Sequence, residues 1–211
     1  VAGCGTGSII PEILNNCKQR KKFKANAIDI SQSMLNFAQQ QYTDISNFIQ
    51  GDLRTLPFKE NTFDLIWVER VLHHIKDANI ALTELSRSLK KNGLLIISEP
   101  YIPSTFISQM CTKSTFDFAT SWSKTVAKGT IGLDAYHQIK KENLSIKQFF
   151  MSSVIINSYA RISKFIDLTL FLKKSGLSED DIALQVKKWK KADDEGNFLM
   201  SFPMYNYVIK K

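Results

Sequence analysis

The sequence predicts an α/β fold built on a doubly wound, mostly parallel sheet, and three observations carry that reading. A glycine-rich turn, Val1-Ala2-Gly3-Cys4-Gly5-Thr6-Gly7, runs straight into apolar residues at helical spacing. Short apolar runs then alternate with helical stretches up to about residue 100, the pattern of a parallel sheet with helices on both faces. Acids close three of the runs: Asp29, Asp52 and Glu69. In such sheets ligands sit outside the C-terminal strand ends, so these acids and the glycine turn share the expected ligand edge.

Glycine tolerates positive φ and has no Cβ, so Gly3, Gly5 and Gly7 let the chain bend sharply and let a ligand touch the backbone. Amides at the following helix start can meet the ligand's charge. A tight strand-to-helix turn with no ligand has the same appearance in sequence. Ile9, Ile10, Ile13, Leu14 and Cys17 share one helical face, with Pro11 in the first turn where its missing amide costs little. The basic run Lys18 to Lys24 ends this helix.

Ala27-Ile28-Asp29-Ile30-Ser31 reads as a short buried strand ending in an acid, with Asp29 placed 22 residues past Gly7. That offset suits an acid presented to a ribose. Ser31 suits an N-cap, and Met34, Leu35 and Ala38 form the buried face behind it. Asn47 to Gln50 is a further strand, closed by Gly51-Asp52; Leu53 to Asn61, with Pro57, is loop. Phe63 to Val68 is the next strand, followed by Glu69-Arg70-Val71-Leu72-His73-His74-Ile75. A helix from about Asp77 buries Leu82, Leu85 and Leu89, and Asn92-Gly93 stops it before Leu94 to Ile97.

Taken in order, G-C-G-T-G, D-I-S, G-D-L, F-D-L-I-W-V, V-L-H-H-I and L-K-K-N-G-L-L-I-I resemble a class I S-adenosylmethionine-dependent methyltransferase of the small-molecule type, over residues 1 to about 100. The resemblance implies a Rossmann-like methyltransferase fold with S-adenosylmethionine as cofactor. It implies that Gly3, Cys4, Gly5, Thr6 and Gly7 approach the cofactor's amino-acid tail, and that Asp29 accepts from both ribose hydroxyls. Ile30 and Met34 would border the adenine, although a methionine at position 34 equally suits core. Asp52 would accept from the adenine amino group, with Leu53 near the ring, and Glu69 would face the ammonium and sulfonium. The family carries a strand before these glycines, so the resemblance also implies a chain lacking its natural start. Many members carry an acid two residues before the first glycine, where this chain has Val1. Ser98-Glu99-Pro100-Tyr101 is faintly similar to the D/N/S-P-P-Y motif of amino-group methylating nucleic-acid enzymes. It has Glu for the first Pro and follows the fifth strand instead of the fourth, so it is set aside.

Composition adds bounds. A chain of 211 residues, 44% hydrophobic and 23% charged, suits one globular domain: a cofactor-binding core over 1–103, a helical lid or acceptor-binding insertion over 104–160, and closing helices and a strand over 161–211. The insertion carries Phe106, Phe116, Phe118, Trp122, Phe149 and Phe150 among lysines, broken near Gly129 and Gly132. Ile162 to Lys174 is amphipathic and is expected to pack on the sheet. Ser178 with Asp181 opens a helix towards Lys191, and Phe198 to Ile209 closes the sheet despite Pro203. Cys4, Cys17 and Cys111 have no metal spacing, which suits reduced thiols in a cytoplasm. No apolar run reaches membrane-span length.

The net charge is +8, with 12 basic and 10 acidic side chains in residues 1–100 against 16 and 10 in 101–211. Such a second half could face nucleic acid or present a solvated lysine-rich surface. Three readings follow: a methyltransferase for a small molecule, one for nucleic acid or protein, and a methyltransferase-like domain that binds without catalysis. Transfer from a sulfonium asks the protein mainly to align the acceptor and exclude water, with a base where the acceptor carries a proton. His73, His74, Glu99, Tyr101 and His137 are the candidate bases, and the sequence does not choose among them.

Overall fold

The computed structural model describes residues 1–17, 24–42, 45, 47–110 and 112–211, apart from the side chains of Asn16, Cys17 and Thr112. Most of the expected basic run after the first helix, together with Cys111 and the thiol of Cys17, lies outside the described residues.

Helices α1 (Ile10–Cys17), α2 (Gln32–Gln41) and α3 (Ala78–Ser88) alternate with strands β1 (Asn26–Asp29), β2 (Asn47–Gln50), β3 (Phe63–Glu69) and β4 (Leu89–Pro100). Strands β1 and β2 pair in parallel, as do β3 and β4. Ala2 joins the two pairs, because it bridges Ile28 of β1 and Val68 of β3 in parallel. The chain then forms β5 (Phe106–Ile107), α4 (Thr112–Ser123), α5 (Ile131–Lys141), β6 (Ser145–Ile156), α6 (Tyr159–Ile162), α7 (Leu168–Lys174), α8 (Glu179–Asp194) and β7 (Met200–Lys210). β7 runs antiparallel between β4 and β6. The sheet therefore reads β2-β1-Ala2-β3-β4-β7-β6, parallel except for β7, with the short β5 pairing antiparallel to the start of β7.

Strand periodicity decides which helices meet which face. Along β1, Ala27 packs with Ile10 and Leu14 of α1 and Leu35 of α2, while Ile28 turns to the other side. There it joins the main core with Ile66, Val68, Leu95, Ile97, Tyr207 and Ile209, covered by Leu82 and Leu85 of α3 and Ile139 of α5. Burying a Leu or Ile in such a core is worth roughly 1.5–3 kcal/mol each. On the opposite face of β3, β4, β7 and β6, Leu65, Leu94 and Phe150 are exposed.

Helix starts follow local chemistry. Ser31 Oγ accepts the Met34 amide, and Ser178 Oγ accepts the Asp181 amide at 3.1 Å, as the sequence leads one to expect. Helix α3 ends at Ser88, four residues before Asn92, and the carbonyls at its end meet a cation: Lys211 Nζ donates to Ser86 O at 2.8 Å and to O of the C-cap Leu89 at 2.7 Å. Asn92, at φ 67°, instead forms part of the register shift between the Phe63–Leu89 and Leu65–Leu94 pairs.

Two expectations change. The 104–160 segment begins with helices α4 and α5, but from Ser145 it becomes the twelve-residue strand β6. Ile162 to Lys174 is not one helix on the sheet. Asp167 Oδ1 accepts the amides of Thr169 and Leu170 and starts α7 afresh. Phe171 and Leu172 then pack with Phe118 and Trp122 of α4 and Ile182 and Trp189 of α8, forming a second core. Among the described residues no helix is long and apolar enough to cross a membrane.

Candidate functional site

The glycine turn rises between β1 and β3. Gly3 N and Cys4 N both donate to Ile28 O, at 2.8 and 3.0 Å, so the turn is fastened over the end of β1. Gly3, Gly5 and Gly7 all have positive φ, at 67°, 53° and 84°. Their surroundings differ. A Cβ on Gly3 would lie 2.4 Å from Val71 carbons, and one on Gly7 would lie 2.5 Å from the Tyr42 ring. A Cβ on Gly5 would meet only Met34 Sδ, at 3.9 Å. Gly3 and Gly7 are therefore required by packing, whereas Gly5 presents bare backbone to open space.

Asp29 stands beside that space. Its Oδ2 accepts the Gly5 amide at 2.7 Å and its Oδ1 accepts the Ser31 amide at 2.9 Å. A carboxylate has roughly four acceptor positions, so two remain for an incoming donor. Ile30 is 66% exposed and Met34 46% exposed, an apolar shelf next to the acid. A carboxylate with free acceptor positions, an open glycine turn and an apolar shelf thus lie side by side, groups suited to hydroxyls, a close-approaching tail and a flat apolar ring.

The other expected site residues are placed less directly. Cys4 is buried with Ile10, Leu14 and Leu35, leaving its backbone at the turn; burial, then the charge of Asp29, pushes its thiol up to about 11. Thr6 is exposed. Asp52 is engaged by Arg54, whose Nη2 donates to Oδ2 at 2.6 Å and whose amide donates to Oδ1 at 2.8 Å. These side-chain and backbone bonds hold the Asp52 carboxyl below the usual range. Leu53 is 5% exposed and packs in the main core, so its side chain does not border the shelf. Glu69 accepts from Trp67 Nε1 at 3.3 Å and lies 3.4 Å from Arg70 Nε. It lines a groove of about 580 Å³ across the uncovered sheet face, with Trp67, Ile96, Phe150 and Asn206.

Of the five candidate bases, the fold brings two together. Glu99, at the end of β4, is fully buried. Its Oε1 accepts the amides of Val71 and Leu72 at 2.7 and 2.8 Å, and its Oε2 lies 2.9 Å from His73 Nδ1. His74 keeps part of its surface in solvent, while desolvation of the rest of its ring, then His73 beside it, holds its imidazole below the usual range. His137 is exposed on α5, and Tyr101 packs edge-on against Tyr205. Glu99 directly follows the apolar run Leu94 to Ile97, which marks a carboxylate at a buried strand end but does not name its partner.

The connection between α4 and α5 reaches the same place. Lys128 N donates to His73 O at 2.9 Å, and a Cβ on Gly132 would lie 2.8–2.9 Å from the carbonyls of Pro100 and Glu99. The α4–α5 connection is thus seated on the turn after β3 and the end of β4. The aromatics of the 104–160 segment divide: Phe118 and Trp122 are buried in the second core, while Phe106 and Phe116 are exposed. Phe149 and Phe150 belong to β6.

A family profile described as a methyltransferase domain matches residues 1–97. The demethylmenaquinone methyltransferase of Staphylococcus saprophyticus is 32% identical over 93 residues, which span 43% of this chain and 40% of that protein. The chain thus spans less than half the length of that relative. The YcgJ protein of Bacillus subtilis superposes with a TM-score of 0.60 at 16% identity, over 99% of this chain and 88% of that one. A phosphoethanolamine N-methyltransferase of Haemonchus contortus, solved with S-adenosyl-L-methionine, gives 0.55 at 15% identity, over 98% of this chain and 47% of that one. At such identities the likeness concerns the fold.

Proposed function

Residues 1–97 belong to the class I S-adenosylmethionine-dependent methyltransferase family, and on that premise we propose that the chain transfers a methyl group from S-adenosylmethionine to a small-molecule acceptor. The observation that carries the reading is the open position at Gly5 beside the Asp29 carboxylate. The Gly3–Gly7 backbone receives the amino-acid tail, and Asp29 keeps two acceptor positions for the ribose hydroxyls. Ile30 and Met34 flank the adenine. Asp52 takes the adenine amino group by releasing part of its hold on Arg54, and the Leu53 backbone lies beside it. Glu69 offers its carboxylate to the ammonium end.

Bound there, S-adenosylmethionine supplies an electrophilic methyl group together with its own leaving group. The chain's part is to orient the acceptor and keep water out. Helices α4 and α5 form the acceptor side, since their connection is bonded to the turn after β3. Leu133 and Tyr136 are exposed on α5 and Phe116 on α4, giving that side the apolar character of a small-molecule pocket. The relative named for demethylmenaquinone adds weight to an aromatic acceptor.

Calorimetric titration of the full chain with S-adenosylmethionine and S-adenosylhomocysteine tests the cofactor, with saturable 1:1 binding expected. Transfer of a labelled methyl group to a naphthohydroquinone, a catechol or a primary amine tests the acceptor. Absence of cofactor binding would sink the reading.

A further inference from the structure

We propose that His73 is the proton acceptor of the transfer and that Glu99 is its positioning residue; the inference rests on the methyltransferase reading above. The Glu99 carboxylate receives four donors without meeting solvent: Val71 N, Leu72 N, His73 N at 3.4 Å and His73 Nδ1 at 2.9 Å. An ionised carboxylate only accepts, so Nδ1 carries the proton and the lone pair resides on Nε2. His73 keeps 11% of its side-chain surface. Among the described residues Nε2 has no hydrogen-bond partner, and no fully buried side-chain nitrogen or oxygen lacks one, so Nε2 borders open space.

That space lies where cofactor and acceptor sides meet. Val71, two residues before His73, walls the backbone of Gly3, and Lys128 of the α4–α5 connection bonds His73 O. An imidazole fixed at one nitrogen and free at the other is the arrangement of an oriented base. A surface histidine would not need a buried carboxylate behind it. A carboxylate needed only to hold the turn would already be satisfied by its three amides.

The step balances. The acceptor's X–H bond breaks, and its proton joins the Nε2 lone pair. The X–H electron pair stays on the acceptor atom and forms the new bond to the methyl carbon, while sulfur keeps the C–S pair and becomes a neutral sulfide. The imidazolium that results is held against Glu99 until its proton leaves to water. The charged groups facing this ring are Glu99 from β4 and His74 on its own turn. Lys128 meets it through backbone alone, its ammonium lying 3.7 Å from Asp134 Oδ2 of α5.

Nitrogen NMR of the histidine rings in the full chain tests this without an acceptor. His73 is expected as the Nδ1–H form. Its protonation midpoint should lie about one pH unit lower with S-adenosylmethionine than with S-adenosylhomocysteine, because only the former brings a positive sulfonium near Nε2. Glu99→Gln should keep the affinity for S-adenosylhomocysteine, lose the single ring form and lower the midpoint. Equal midpoints in the two wild-type complexes, or an Nε2–H ring, would overturn the assignment while leaving the methyltransferase reading intact. That comparison holds even if Glu99→Gln fails to fold. If neither compound binds, the methyltransferase reading falls and the base falls with it.

Discussion

Asp29 closes on Gly5: its Oδ2 accepts the Gly5 amide at 2.7 Å, across 24 residues of chain. The acid proposed to meet the cofactor's ribose is thereby registered against the turn proposed to meet its tail. One substitution should disturb both. Hydrogen bonds to a charged acceptor contribute roughly 1.5–3 kcal/mol, so Asp29→Ala is expected to weaken S-adenosylmethionine binding about tenfold to a hundredfold. Calorimetry on wild type and variant measures this; equal affinities would remove Asp29 from the site.

Acid should loosen the loop that carries Asp52. Arg54 holds the Asp52 carboxyl low, chiefly by its side-chain bonds, and Arg87 does the same for Glu84. Glu84 Oε2 also accepts the Leu56 amide, and Arg87 donates to Phe58 O, so the pair clamps residues 56–58 onto α3. Groups with lowered folded pKa values bind protons more readily when unfolded. Their contribution is complete above the unfolded value, about 4, and is lost as pH falls through the folded values. Thermal unfolding followed from pH 7 to pH 3 should show a drop below about pH 4 that is smaller in Glu84→Gln. A drop of the same size in both proteins would remove Glu84 from the acid response.

How much of this was legible follows from what each stretch buries. Strands β1 to β3 and the Leu94–Ile97 part of β4 are short apolar runs, and the glycine turn is strained backbone that only glycine adopts cheaply, so both were visible; Leu89 to Gly93 of β4 instead carries the helix-stop signal Asn92-Gly93. β6 was not visible. Its sequence, SIKQFFMSSVII, has no period-two alternation, because it is the sheet edge and both its faces are partly open. The break between α6 and α7 depends on Asp167 capping amides two and three residues on, which competes with the helical pattern around it. The pairing of Glu99 with His73 links residues 26 apart, so no local pattern announced it.

The basic second half is expected to bind nucleic acid weakly. Several of its lysines already face acids: Lys113 lies 2.6 Å from Asp117, Lys173 2.7 Å from Glu179 and Lys191 3.7 Å from Glu195. The cluster from Lys187 to Lys191 lies on α8, whose Trp189 anchors it in the second core, away from the glycine turn. Binding of RNA and DNA measured across a salt series should be loose throughout. Tight binding that falls steeply with salt, and is lost when Lys187, Lys188, Lys190 and Lys191 are neutralised, would favour a nucleic-acid acceptor instead.

Two glycines of the same turn should separate folding from binding. Gly3 and Gly5 have similar backbone angles, φ 67° and 53°, so an alanine at either carries a similar left-handed cost of roughly 1–2 kcal/mol. What differs is the space around them. A methyl group on Gly3 would stand 2.4 Å from Val71, which is fixed from behind because Glu99 holds its amide. Relief requires moving the turn after β3, so Gly3→Ala should lower the melting temperature sharply. A methyl group on Gly5 would meet only Met34 Sδ at 3.9 Å, a soft contact on an exposed side chain. Gly5→Ala should therefore fold with only the backbone cost, yet place its methyl where the cofactor's tail approaches and weaken S-adenosylmethionine binding at least tenfold. Melting curves and calorimetry on the two variants decide between the roles. If Gly5→Ala binds as tightly as wild type, the open space beside Gly5 is not the cofactor's, and the tail must lie elsewhere on the turn.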